Sequence, residues 1–252
     1  MSAAALALRS APLFAIALAV AGCLTPTPAP APLSGTLDVA NLAADEQHLW
    51  KESRELQHDI EIAGLVSREQ ALDRYLARAL ERATPESMRS AGLEPSVRVI
   101  SNVNIHGYSF ANGVIYLHTA LLARMVDETQ LATVLTRELA HVELRNALRA
   151  RRDARTRADA LAWIGVGATV VEGGGAVQLL AQAASISTAP GFHHSLETAA
   201  DEQGLANLAA AGYDVRDTPG FFRMTLDYLS EVHSQGVWGW VAFTPPPAMT
   251  AR

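Results

Sequence analysis

One helix constrains this chain more than any other feature. Asp127 and Gln130 form a capping box, and from there Leu131, Val134, Leu135, Leu139, Val142 and Leu148 recur at the steps of a helical face. Inside that helix lies the stretch Leu135-Thr136-Arg137-Glu138-Leu139-Ala140-His141-Val142-Glu143-Leu144-Arg145-Asn146, which sets Arg137, Glu138 and His141 little more than one turn apart. Any fold for this chain has to find partners for those ionisable groups.

The 252 residues are 49% apolar and 18% charged, enough for one well-buried domain and incompatible with disorder or a collagen-like fibre. The net charge of −6 offers no general attraction to phosphates, so no nucleic acid partner is expected. Cys23 is the sole cysteine, which excludes an internal disulfide or a zinc ribbon and leaves His and carboxylates for any metal site.

Residues 1–22 carry one charge, Arg9, followed by the apolar run Ala11 to Ala21, too short for an ordinary transmembrane helix and shaped like an export signal. Val20-Ala21-Gly22-Cys23 resembles the bacterial lipobox, which implies cleavage before Cys23 and acylation of that residue. An ordinary cleavage site with a cysteine nearby, or a buried N-terminal helix, are the other readings, and the following prolines speak against the helix. Residues 24–34 favour extended polyproline conformations and are expected to form no core, only a spacer behind a lipid anchor. The expected organisation is a lipoprotein signal peptide at 1–22, the acylated Cys23 and a proline-rich linker at 23–36, and one domain at 37–252. Leu24 is not the aspartate associated with inner-membrane retention, which favours the outer membrane, facing the periplasm of a bacterial envelope.

No solenoid period repeats in the domain. Residues 41–83 read as helices, with Leu49, Leu56, Ile60, Leu65, Leu72, Tyr75, Leu76 and Leu80 at three- and four-residue steps and Pro85 as a stop. Val97 to Ile100 and Val114 to His118, the second preceded by Asn112-Gly113, read as short strands.

The central helix differs by one residue from a zinc-peptidase helix. In the His-Glu-x-x-His arrangement two histidines one turn apart hold zinc while the intervening Glu handles the proton of the metal-bound water. Here Arg137 takes the first position. Glu197-Thr198-Ala199-Ala200-Asp201 lies on a later helical segment running to Ala211 and ended by Gly212, with Glu197 and Asp201 on one face.

Across roughly residues 60–215 these segments resemble the zinc metallopeptidases that include the CAAX prenyl endopeptidase and the periplasmic chaperone-proteases of β-barrel assembly. Five blocks carry the resemblance: the Asn112-Gly113 turn, the strand Val114 to His118, Thr119-Ala120-Leu121-Leu122, the helix around Glu138 and His141, and Glu197 through Gly212-Tyr213-Asp214. It implies a mainly helical α+β, zincin-like peptidase domain with a small β-sheet. By matching position it also implies His141 and Glu197 as zinc ligands, Glu138 as general base, and Asp201 as a residue orienting the site. The strand Val114, Ile115, Tyr116, Leu117, His118 is expected at the sheet edge, where an extended peptide could add as a further strand.

The departures fall on the chemistry. Besides Arg137, the family often has His after the Arg at position 145, where this chain has Asn146, and near the C-terminus this chain reads Thr244-Pro245-Pro246-Pro247 where the family tends to His-Pro. Arg137 can grip Glu197 or Glu138 and replace the metal's charge, can swing to solvent, or can stand beside a metal completed by another histidine. His193 and His194, just before Glu197, are the first substitutes to consider, then His106 and His118, while His48, His58 and His233 read as surface. Arg145, Arg149, Arg151, Arg152, Arg155 and Arg157 read as a solvated helix face, with lipid head groups or an acidic partner as the alternative. Ala160 to Val171 and Ala176 to Ile186 read as an α-hairpin.

The functional expectation is a lipid-anchored envelope protein with a metallopeptidase fold, catalytically impaired, binding envelope proteins or unfolded peptides in a chaperone-like way. The alternative is an active zinc metalloendopeptidase with a substitute ligand; a purely structural lipoprotein is the third reading. Zinc is the only cofactor implied, and the impaired form needs none.

Overall fold

A computed structural model describes residues 29–156 and 194–234, with positions 175, 179 and 182 between them. The export signal, Cys23, His193, most of the apolar arms and the Thr244-Pro245 segment lie outside the described residues. Helix α1, Ala44–Ile62, turns Leu49, Trp50, Leu56 and Ile60 inward at helical spacing. Gly64, at φ +69, stops it, and a short strand β1, Val66–Ser67, follows. That strand interrupts the stretch whose periodicity alone reads as helix. Helix α2, Gln70–Ala83, starts on the side chain of Glu69, which accepts from the Ala71 and Leu72 amides, and stops ahead of Pro85. Helix α3, Glu86–Ser90, leads into β2, Ser96–Ile100, β3, Gly107–Ser109, and β4, Val114–His118. The described helices continue with α4, Thr119–Arg124, α5, Glu128–Glu143, α6, Asn146–Thr156, α7, His194–Ala210, and α8, Thr218–Ser234. None of the described helices is long and apolar enough to cross a membrane.

The strand order is β1-β2-β4-β3, with β2 and β4 parallel and the other pairs antiparallel. This corrects the expectation for Val114, Ile115, Tyr116, Leu117 and His118. Strand β4 pairs with β2 on one side and β3 on the other, so it is interior. The cause is local: Gly113 at φ +85 lets the chain reverse, the Gly113 amide bonds the Phe110 carbonyl, and β3 folds back on β4. The sheet's outer strand on the α5 side is therefore β3, which is too short and too mixed in polarity to announce itself.

Helix α5 begins as its capping box requires, the Asp127 carboxylate accepting from the Gln130 amide at 2.8 Å while Gln130 reaches back to the Val126 amide. It is buried along nearly its whole length, from Gln130 to Glu143. Leu131, Leu135, Leu139 and Val142 join Leu76, Leu80, Val99, Leu117 and Phe221 in one apolar cluster. Helix α7 packs across α5 at Gly204, where a Cβ would stand only 2.9 Å from the Arg137 Cα. At the far end of α5 the buried Glu143 carboxylate accepts from Ser87 at 2.6 Å and from Asn207 at 3.0 Å, tying α3 and α7 to one helix terminus.

Two expectations about charge and linker are corrected here. Arg145, Arg151 and Arg152 do not form a solvated face: they pair with Glu46, Glu52 and Asp45 of α1, Arg152 gripping Asp45 at 2.8 and 3.1 Å. The acidic first turn of α1 supplies Asp45 and Glu46, and Glu52 lies further along the same helix. The end of the proline-rich segment, from residue 29, also packs on the domain, since Leu33 is 8% exposed within the core and its amide bonds the Glu143 carbonyl at 2.8 Å. Prolines there leave few donors to satisfy, and Arg149 takes the Pro30 carbonyl at 3.2 Å.

The close crossing at Gly204 generates a test. Ala normally strengthens a helix, but here its methyl meets the α5 backbone, so Gly204→Ala is expected to cost about 1–3 kcal/mol of overpacking. Chemical denaturation of the variant checks this; an unchanged or raised midpoint would contradict the packing.

Candidate functional site

The α5 and α7 crossing brings Arg137, Glu138, His141, Glu197 and Asp201 together, as the family resemblance implied. Arg137 does not swing out. With its side chain 12% exposed, it bonds Asp201 through Nε at 2.7 Å, Glu138 through Nη1 at 3.3 Å and Glu197 through Nη2. Burial by itself would weaken the guanidinium's hold on its proton, but Glu197, Glu138 and Asp201 together outweigh it, and Arg137 stays charged. Burial pushes the Glu197 carboxyl above its ordinary range, with Arg137 pulling the other way.

Strand β3 is tied into the same cluster. The Ser109 hydroxyl lies 3.0 Å from both the carbonyl and the carboxylate of Glu138. His141 is 2% exposed, and its Nε2 faces Glu197 Oε2 at 3.7 Å. Burial first, and the Arg137 charge second, hold its pKa well below the usual imidazole value, so the ring is neutral. Asn146, at the start of α6, lies 3.0 Å from the other ring nitrogen.

The histidines considered as substitute ligands separate into two groups. His106 and His118 face each other beside β3 and β4 with ring centroids 5.6 Å apart, both buried and neutral, their pKa values pushed down to about 3 and about 4 chiefly by burial. His118 is 3% exposed, and His106 lines a cavity of about 20 Å³ with Arg137 and Glu138, room for about one water. His194 opens α7, but its side chain lies outside the described residues, as His193 does entirely.

A catalytic zinc needs three protein ligands and an open position. Among the described residues no three His, Cys, Asp or Glu side chains are placed to hold a metal. His141 and Glu197 offer two donors, but the Glu197 oxygen facing His141 already accepts from Arg137, and that fixed cation repels a second one. The described residues therefore do not fit zinc. Ser109 and Asn146 are the site residues that the sequence pattern did not assign: Ser109 sits on the unforeseen strand, and Asn146 registers in sequence only as a departure from His.

Removing the cation tests the electrostatics. Arg137→Met would leave Glu138, Glu197 and Asp201 buried without a counter-charge, at an expected cost of about 3–5 kcal/mol near neutral pH. Without Arg137 the Glu197 carboxyl, already above its ordinary range, rises further above the unfolded value of about 4.3, so its contribution to stability is greatest below that value and is lost as pH rises through the raised folded pKa. Denaturation of the variant should accordingly show a smaller deficit near pH 4 than near pH 7; an equal deficit at both would contradict a buried carboxylate cluster.

Comparison with known proteins agrees with this geometry. The model for peptidase family M48 matches residues 69–248. A putative beta-barrel assembly-enhancing protease of Vibrio cholerae is 33% identical over 134 residues, which is 51% of this chain and 28% of that protein. The beta-barrel assembly-enhancing protease of Escherichia coli K12 is 31% identical over 136 residues, again 51% of this chain and 28% of the relative. The matched stretch thus spans little more than a quarter of those proteins. With a mainly helical fold around a small mixed sheet, and with most of its length matched, the chain belongs to peptidase family M48, a family of zinc metallopeptidases.

Proposed function

We propose that this protein is a lipid-anchored component of the bacterial envelope, held by acylated Cys23, in which an M48 peptidase domain has exchanged zinc for an ion pair and acts as a peptide-binding or chaperone-like module. One observation carries the reading: Arg137 occupies the first ligand position and is bonded to Glu138, Glu197 and Asp201 together. The general base and one ligand are held by a cation that never deprotonates, so neither a Lewis acid nor an activated water is supplied.

What persists is the scaffold around the ion cluster. Strand β3 is the outer strand beside α5, and Ser109 couples it directly to Glu138. A strand at that place gives main-chain hydrogen bonds to an extended polypeptide irrespective of its sequence, which suits unfolded or partly folded envelope proteins as clients. The names of the relatives, beta-barrel assembly-enhancing proteases, point to the same class of client.

A second reading keeps the enzyme, with zinc on His141, Glu197 and a substitute histidine and Glu138 as base. It is favoured by the buried His141 Nε2, which has no hydrogen-bond partner, and by His194 lying three residues before Glu197 on α7.

A photo-crosslinking residue in place of Ala111, half-buried just beyond β3, separates the readings when the protein is mixed with a reduced, alkylated outer-membrane polypeptide. Crosslinking to intact polypeptide is expected. Cleavage that disappears in Glu138→Gln would instead establish the peptidase, and absence of crosslinks from this strand would remove the binding role.

A further inference from the structure

The hydrogen bonds around His141 determine which of its ring nitrogens carries the proton. Nδ1 lies 3.0 Å from Nδ2 of Asn146, and the same Nδ2 lies 3.1 Å from the carbonyl oxygen of Leu196, the residue before Glu197. A carbonyl only accepts, so the Asn146 atom beside it must be the NH2 group; with the amide turned over, Oδ1 would meet the Leu196 oxygen, acceptor against acceptor. The NH2 has one hydrogen for each neighbour. His141 Nδ1 therefore faces a donor and keeps its lone pair there. On the opposite side Nε2 faces Glu197 Oε2 at 3.7 Å, too far for a hydrogen bond, yet that oxygen too is an acceptor. A neutral imidazole has one N–H, and both neighbours place it on Nε2.

We infer that Asn146 is a positioning residue that fixes His141 in the Nε2-protonated tautomer, turning the nitrogen that faces Glu197 from a metal-ligating lone pair into an N–H donor. A metal-bound imidazole needs the reverse: a lone pair towards the metal and, on the other nitrogen, an N–H held by an acceptor. Asn146 Oδ1, buried without a partner, is the cost of the arrangement, since the orientation that serves Leu196 and His141 turns the oxygen to where no donor stands. The inference deepens the proposed exchange of zinc for an ion pair, and it makes that exchange a matter of two residues. Restoring a histidine at Arg137 returns a donor to α5 but leaves His141 protonated on the metal-facing side.

The tautomer is read directly by NMR correlation of ring nitrogens with carbon-bound ring protons on the uniformly ¹⁵N-labelled full chain, with His141 assigned by the signals lost in His141→Gln. Nδ1 is expected to resonate as an unprotonated nitrogen and Nε2 as a protonated one, and Asn146→Ala to shift the population towards the Nδ1-protonated form. Protonation on Nδ1 in the unsubstituted chain, or a tautomer that Asn146→Ala leaves unchanged, overturns the inference; should Asn146→Ala fail to fold, the unsubstituted spectrum decides. A second readout is zinc affinity, by competition with a chromophoric chelator, for Arg137→His with and without Asn146→Ala. The double variant is expected to bind about 10–100-fold more tightly, the range for partners that orient a ligand, and equal affinities overturn the proposal. Zinc bound by the unsubstituted chain would sink the proposed function, whereas a zinc-free chain with His141 protonated on Nδ1 would sink this inference alone.

Discussion

A guanidinium buried among three carboxylates holds the centre of this domain together. Arg137 belongs to α5, Glu197 and Asp201 to α7, so the ion cluster and the helix crossing depend on each other. Gly204 permits the approach by lacking a side chain, and the approach brings the carboxylates within reach of the cation. Buried ion pairs of this kind contribute little net stability over an apolar replacement, but losing one member is costly because the others are left uncompensated. That asymmetry makes the cluster a constraint on the fold more than a source of stability. It also keeps Glu138 and Glu197, the residues a peptidase would use, engaged with each other's counter-ion.

The surrounding structure keeps this cluster fixed. Glu143 anchors the end of α5 to α3 and α7, Ser109 anchors β3 to Glu138, and the α1 acids hold Arg145 before α6 and Arg151 and Arg152 on it. The N-terminal segment lies on the same assembly through Leu33. The described chain is docked from about Pro30 onward, where the Pro30 carbonyl accepts from Arg149.

Much of this was legible in sequence, for reasons that differ by element. The α5 start was readable because its cap is a local interaction between Asp127 and Gln130, and the Glu197 to Asp201 spacing places both carboxylates on one helix face whatever they pack against. The Arg137 to Glu197 pairing was one of three alternatives the sequence left open, beside a swing to solvent and a retained metal, and only the coordinates select it. The β1 and β3 strands were not readable, since two or three residues carry no period, and with β3 unseen Val114 to His118 looked like an edge. The arginines after α5 read as solvated because their partners lie about 100 residues earlier, a distance no local pattern reports. Leu33 was concealed by the prolines around it. The role of Asn146 needed coordinates, because it rests on one amide facing two acceptors from different helices.

The central claim is that a fixed positive charge has taken the place of the metal, and metal content tests it most directly. Elemental mass spectrometry on protein purified without chelator and without a histidine tag gives zinc per molecule. The account requires a value near zero. A value near one would mean that His141 and Glu197 hold a metal beside Arg137 after all, with a further ligand from outside the described cluster, and the ion-pair account would be wrong.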